Sequence, residues 1–299
     1  MQLLESYAKK YVKYCREQRK LNEKTIKAYE IDIKQLYEFL KRCEFSLNKT
    51  VLSEYIAELN CKYKPRSVKR KIASIKAFFR YLLDEDILSE NPFHKLHIRT
   101  CEPKILPRTV PIRVIEEMLR LGYKEISENR TSTTIRNTAV MELLFATGMR
   151  VSELSRLNIS DIDLIDGTVM IFGKGAKERL LQLTNPDVIS ILEQYYNAVN
   201  RTSSEPFFLN RFGKRLSEQS IRLILKHYAQ QVNTTLHITP HMFRHSFATL
   251  LLEEDVDIRY IQKMLGHSSI TTTQIYTSVS MAKQREILTL KHPRNHMEI

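Results

Sequence analysis

The sequence predicts a mainly α protein in two parts: an amino-terminal bundle of four helices, then a mixed, mostly helical part with a small three-stranded antiparallel sheet. Three observations predict it. Apolar residues recur at helical spacing with no strand-like alternation through the first third, as in Ile26, Tyr29, Ile33, Leu36 and Leu40. Prolines at 92, 103, 107 and 111 interrupt that periodicity in a stretch that sustains none of its own. Beyond them, one β-prone segment, "DIDLIDGTVMIFGKGAKERLLQL" (161–183), is punctuated by Asp166-Gly167 and by Gly173-Lys174-Gly175. Those turn signals divide it into three strands.

Taken in order, helices are expected over 3–19, 23–43, 50–60 and 65–85. The fourth carries an apolar stripe, Ile72, Ile75, Phe79, Leu82 and Leu83, with Arg66, Lys69, Lys76 and Arg80 on an adjacent face. One wall suits a core and the other suits phosphates or water. The proline-bearing stretch divides the chain into an amino-terminal domain over 1–97, a linker over 98–110 and a second domain over 111–299. In that second domain helices are expected over 112–121, 133–146, 149–157, 186–199, 217–233, 240–253 and 257–265 around the sheet.

Composition narrows the function classes. Hydrophobic residues make up 42% of 299, with only 7 Gly and 9 Pro, a globular balance rather than a fibrous or disordered one. The four cysteines form no CxxC pair and the first residues are charged rather than apolar, so a reducing cytoplasm is expected. No apolar run approaches the roughly 18 residues of a membrane span. Net charge is +13, concentrated early: residues 1–100 hold 22 Lys and Arg against 13 Asp and Glu. A polyanionic partner follows, nucleic acid first and an acidic membrane surface second.

The densest chemistry lies in "TPHMFRHSFAT", where Thr239 caps a helix, Pro240 opens it, and His241, Arg244 and His245 share its first turns. A helix amino terminus offers free N–H groups and a positive dipole end, so these side chains build an anion receptor. A bound phosphate would offset their mutual repulsion. His241 and His245 share the spacing of a zinc-binding HExxH helix, but Met242 stands where that motif has its carboxylate and Arg244 would set a permanent cation beside the metal; no metal site is expected. Further cations are Arg150 in "TGMRVSEL", beside Glu153, which could orient it, and Lys174 at the tip of "FGKGAKER". Downstream, Gly266 stops a helix, His267 follows directly, and Tyr276 lies among threonines.

In combination and in this order, Arg150, Lys174, His241, Arg244, His267 and Tyr276, with an HxxR and a GH-x8-Y pattern, resemble the tyrosine recombinases, or phage integrases, and more closely their Xer-like members. The resemblance runs over essentially the whole chain. "SVKRKIASIKAFFRYLLDEDILSENP" is similar to the family's core-binding helices, and "TGMRVSEL", "GKGAKERLLQL", "HMFRHSFAT" and "LGHSSITTTQIYT" to its catalytic boxes. Gln182, Phe243 and Asp255-Val256 depart from commoner family residues without touching a catalytic position.

The resemblance implies a SAM-like core-binding domain over 1–97 and a catalytic domain over 111–299. It implies that Tyr276 attacks a scissile phosphodiester to give a 3'-phosphotyrosyl bond and a free 5'-hydroxyl, with no metal or nucleotide cofactor. Arg150 and Arg244 would grip the phosphate, His267 would add a hydrogen bond, Lys174 would protonate the departing oxygen and His241 would assist proton transfer. Exchange of strands through a Holliday junction implies a tetramer on duplex DNA with paired inverted-repeat core sites, alone or with a second recombinase or accessory protein. Arg66, Lys69, Lys76, Arg80, Lys214 and Arg215 are the expected DNA-binding residues. The segment "MAKQREILTL", with Ile287, Leu288 and Leu290, is expected to pack on a neighbouring protomer. From the length, no extra amino-terminal arm-binding domain is expected, and a nucleoid-associated cytoplasmic location is expected.

Overall fold

A computed structural model describes residues 2–45, 47–93, 96, 109–173, 178–199, 205–266 and 281–297. The chain divides into two compact units, Met1–Ile105 and Leu106–Ile299.

The first unit holds α1 (Gln2–Glu17), α2 (Glu23–Arg42), α3 (Lys49–Lys62) and α4 (Pro65–Asp84). The starts are set by local chemistry: the side chain of Asn22 accepts the N–H of Lys24, that of Asn48 the N–H of Val51, and Pro65 occupies the first turn of α4. Tyr11, Ile26, Leu36, Leu52, Val68, Ile75, Phe78 and Phe79 form the core. Inside it, and unmarked by any apolar stripe, Asp32 is fully buried, accepting from Lys71 at 2.9 Å and from the Arg70 guanidinium at 2.5 and 3.0 Å. Arg66, Lys69, Lys76 and Arg80 are all exposed on α4.

The second unit is organised around α6 (Ser132–Thr147), in which every residue from Thr138 to Thr147 is buried. It packs against α5 (Ile112–Glu128) and later against α8 (Pro186–Asn197) and α10 (Pro240–Glu253). The expected end of α5 at 121 falls short, because Gly122 continues the helix rather than breaking it. A Cβ there would meet Thr138 Oγ1 at 2.6 Å, so the glycine lets α5 and α6 approach closely. Then come α7 (Val151–Arg156), a 3-10 turn (Ile159–Asp161), β1 (Ile162–Asp163), β2 (Thr168–Phe172) and β3 (Glu178–Gln182). The sheet is antiparallel in the order β1-β2-β3, with Val169 opposite Leu181 and Ile171 opposite Arg179. The chain is thus mainly α, with helices α9 (Glu218–Gln231) and α11 (Ile258–Leu265) completing the body. Val110, inside the stretch expected as linker, is buried, and its N–H donates to Ser246 Oγ at 2.7 Å. No described helix is long and apolar enough to cross a membrane.

Beyond Ser280 comes α12 (Met281–Lys291) and a closing 3-10 turn (Pro293–His296). The expectation that this segment packs on a neighbour is corrected here. Ile287 and Leu288 are buried in the core of their own unit and only Leu290 is largely exposed. His292 and Arg294, both buried, hold the end of the chain against α6: His292 Nε2 lies 2.9 Å from the Ala146 carbonyl, and Arg294 pairs with Glu142.

Candidate active site

The site is assembled where four helices end or begin. Gly148 closes α6 in the left-handed conformation, φ 57°, which a side chain would strain, and a Cβ would also meet Phe247 Cδ1 at 2.5 Å. Two residues on, Arg150 is the extended N-cap of α7, which delays that helix from the expected 149 to Val151. Glu153 locks it there: one carboxylate oxygen accepts the Arg150 backbone N–H at 2.8 Å and the other its Nη1 at 2.7 Å.

Arg244 comes from α10, whose start follows the expected chemistry, with Thr239 Oγ1 accepting the Met242 N–H and Pro240 in the first turn. Arg244 is 4% exposed, and its guanidinium donates to the carbonyls of Gly148 at 2.8 Å and Leu265 at 2.6 Å. Among the described residues no carboxylate forms an ion pair with it. Burial, and then the charge of Arg150, bring its pKa down to about 10, so it stays cationic at neutral pH. Among the described residues this buried cation is bonded to backbone carbonyls and stands beside a second arginine, an arrangement that suits an anion.

The last turn of α11 binds these groups together. A helix carboxyl end has free carbonyls and a negative dipole end. Here the carbonyls of Met264, Leu265 and Gly266 accept from Arg179, Arg244 and Arg150 respectively, at 2.8, 2.6 and 3.2 Å. Arg179, on β3, also grips Glu153 through Nη1 and Nη2 at 3.1 and 2.7 Å. Burial alone would raise the Glu153 carboxyl; the hydrogen bonds from Arg179 and from the Arg150 backbone outweigh it and hold the pKa below its ordinary value.

On the exposed side of α10, His241 Nε2 lies 3.0 Å from His245 Nε2. Burial, with the neighbouring His241 and Arg244, lowers the pKa of His245. Neutral at pH 7, it shares a hydrogen bond with His241 instead of repelling it. Of the six expected catalytic residues, then, the structure brings together Arg150 and Arg244 and places His241 one turn before Arg244; Lys174, His267 and Tyr276 lie outside the described residues.

The expected DNA-binding residues differ among themselves. Arg80 is paired with Asp84 at 2.9 Å and Lys76 Nζ stands 6.0 Å from the Phe93 ring centre, while Arg66 and Lys69 are exposed on the same face. Lys214 is exposed, whereas the guanidinium of Arg215 is engaged by the carbonyls of Ser155 and Leu157 and by Asn158 Oδ1. Arg179 was not anticipated from sequence. It shares the inward face of β3 with Leu181, two residues on, and an arginine at an inward position is the signal that could have found it.

A family model described as phage integrase family matches residues 117–283, and one described as phage integrase, N-terminal SAM-like domain, matches 8–86. A tyrosine recombinase of Agathobacter rectalis is 50% identical over 98% of both chains.

The chain belongs to the phage integrase family.

Another relative, the tyrosine recombinase XerD of Staphylococcus epidermidis, is 36% identical over 95% of this chain and 97% of its own. Among solved structures, a lambda integrase tetramer bound to a Holliday junction superposes with a TM-score of 0.67 at 18% identity, over 90% of this chain and 75% of that one. This likeness extends the family's fold to both units.

Proposed function

We propose that this phage integrase family member is a site-specific DNA recombinase that cuts and rejoins DNA through a covalent tyrosyl intermediate. The phenolic oxygen of Tyr276 attacks the scissile phosphorus. The bond from phosphorus to the 5'-oxygen breaks as the 3'-phosphotyrosyl bond forms, and rejoining reverses the step without external energy. The phenol proton passes toward His241, and Lys174 delivers a proton to the departing 5'-oxygen. Arg150 and Arg244 neutralise the charge that builds on the non-bridging oxygens, and His267 adds a further hydrogen bond. Planar guanidinium forks suit that task because each can reach two oxygens at once.

The observation that carries this reading is the buried guanidinium of Arg244, paired with no carboxylate among the described residues, beside Arg150. The names of the relatives, all tyrosine recombinases, support it. On this reading residues 1–97 are a core-binding domain, 98–110 a linker and 111–299 the catalytic domain. The basic face of α4 contacts phosphates on one side of the duplex. The active species is a tetramer on paired inverted repeats, working in the bacterial cytoplasm.

The test is covalent capture. Tyr276→Phe should bind a duplex that the wild-type chain selects from a random-sequence pool, yet form no protein-DNA adduct on a nicked version of it. An adduct of undiminished yield would remove Tyr276 from the mechanism. Site-dependent excision or inversion on a plasmid should accompany cleavage; relaxation with no site requirement would point instead to a topoisomerase.

A further inference from the structure

The arrangement around Glu153 contains one more arginine than the proposed chemistry uses. Arg179 has a side chain only 11% exposed, and its donors face inward: Nε to the Met264 carbonyl, Nη1 and Nη2 to the two oxygens of Glu153. It is therefore not placed to grip a phosphate. It bridges β3, the start of α7 and the end of α11.

The Glu153 carboxylate accepts four hydrogen bonds, two from Arg150 and two from Arg179. A carboxylate offers about four lone-pair sites, so the set is complete. The division matters for Arg150. Its guanidinium reaches Glu153 through Nη1 alone and keeps a second contact, through Nη2, to the Gly266 carbonyl. With Arg179 absent, the same carboxylate would be free to take Arg150 in the stronger two-pronged geometry and draw it away from a phosphate.

Arg179 also steadies the opposite wall. Its guanidinium lies against Gly266, whose φ is 63°: a Cβ there would meet Arg179 Nη1 at 3.0 Å and its Cζ at 3.3 Å. The glycine thus brings that backbone against Arg179, one peptide away from the carbonyl that holds Arg244. The chain continues directly into His267.

We propose that Arg179 is a positioning residue for the arginine pair: it holds the Glu153 carboxylate off Arg150 and pins the end of α11 whose carbonyls aim Arg150 and Arg244. The inference rests on the recombinase reading. Arg179 touches neither the scissile phosphate nor the nucleophile in this role; it acts through Glu153 and through backbone.

The experiment measures single-turnover adduct formation by the full-length chain on the nicked, wild-type-selected duplex. One version carries the natural phosphodiester at the scissile position and one an uncharged methylphosphonate. Arg179→Gln should bind the uncleaved duplex like the wild type and form adduct about ten- to a hundredfold more slowly on the phosphodiester, the range typical when a group orienting a functional side chain is lost. The defect should shrink on the methylphosphonate, where there is less charge for the aimed guanidiniums to neutralise. Arg179→Lys, which keeps the charge but lacks the planar fork, should fall between; if Arg179→Gln does not fold, this variant carries the same two comparisons. A rate within about twofold of wild type, or an equal loss on both linkages, would overturn the proposal. Arg150→Ala separates the two readings: if it cleaves the phosphodiester normally, the recombinase chemistry itself falls. If it is inactive while Arg179→Gln is normal, only the positioning role falls.

Discussion

Arg294 and Glu142, 152 residues apart in sequence, are joined by three hydrogen bonds, Nε donating to both carboxylate oxygens at 3.1 and 3.0 Å and Nη2 to one at 3.0 Å. Both side chains are buried, and the hydroxyl of Tyr123 completes the set at 2.9 Å. Removing one partner of such a pair strands the other charge.

Arg294→Met should therefore destabilise the protein by about 3 to 5 kcal/mol, and the double change Glu142→Leu, Arg294→Met by clearly less, because an apolar pair of similar volume leaves no uncompensated charge. Denaturant unfolding of the two variants checks the order. By the same reasoning, deleting residues 281–299 should lower the unfolding midpoint before any effect on assembly is seen, since Ile287, Leu288 and His292 leave the core with it.

Gly148→Ala should cost roughly 2 to 4 kcal/mol, adding left-handed strain of about 1 to 2 to the overpacking of Phe247 and Leu265. Because the Gly148 carbonyl holds Arg244, adduct formation should fall as well. Thermal unfolding and single-turnover cleavage, measured on the same preparation, test both halves.

His245 should titrate below its ordinary value near 6.5 in an imidazole NMR titration, since burial, His241 and Arg244 all disfavour its cation. With the folded pKa depressed, the unfolded chain takes up the proton first. Its contribution to stability is thus present above pH about 6.5 and is lost as pH falls through the folded value. A midpoint at or above 6.5 would contradict the arrangement on α10.

Lys214→Ala and Arg215→Ala should separate two neighbours that look alike in sequence. Loss of Lys214 should lower the salt dependence of DNA binding by about one ion and leave stability unchanged. Loss of Arg215 should cost about 1 kcal/mol of stability, a figure reduced for its exposure, because it ties the 209–215 turn to the end of α7. Salt-titrated binding and thermal melts distinguish the outcomes.

Local signals carried most of the fold. The bounds 240–253 of α10 follow from Thr239, Pro240 and the apolar run alone, and the three strands from two glycine turns. Where the expectation stopped short, the missing information was tertiary. Gly122 reads as a stop until Thr138 is seen beneath it. The motif residues Arg150 and Arg244 were visible as candidates, but not the fact that one helix end collects both of them together with Arg179. Asp32 with Lys71, and Glu142 with Arg294, were invisible for a plainer reason: a charge in a helix reads as solvent-facing, and nothing in local spacing tells which partner will bury it.

In the amino-terminal unit, Arg66, Lys69, Lys76 and Arg80 of α4 are exposed, while Lys71 and most of the apolar residues of the same helix are buried in the bundle. Evolution can therefore edit residues 66, 69, 76 and 80 almost independently of folding, as substitutions at exposed helix positions are usually worth less than about 0.5 kcal/mol. On the proposed reading such a helix would serve as a replaceable reading head, and lineages that share this scaffold would drift toward new addresses on a chromosome while their cutting machinery stays the same.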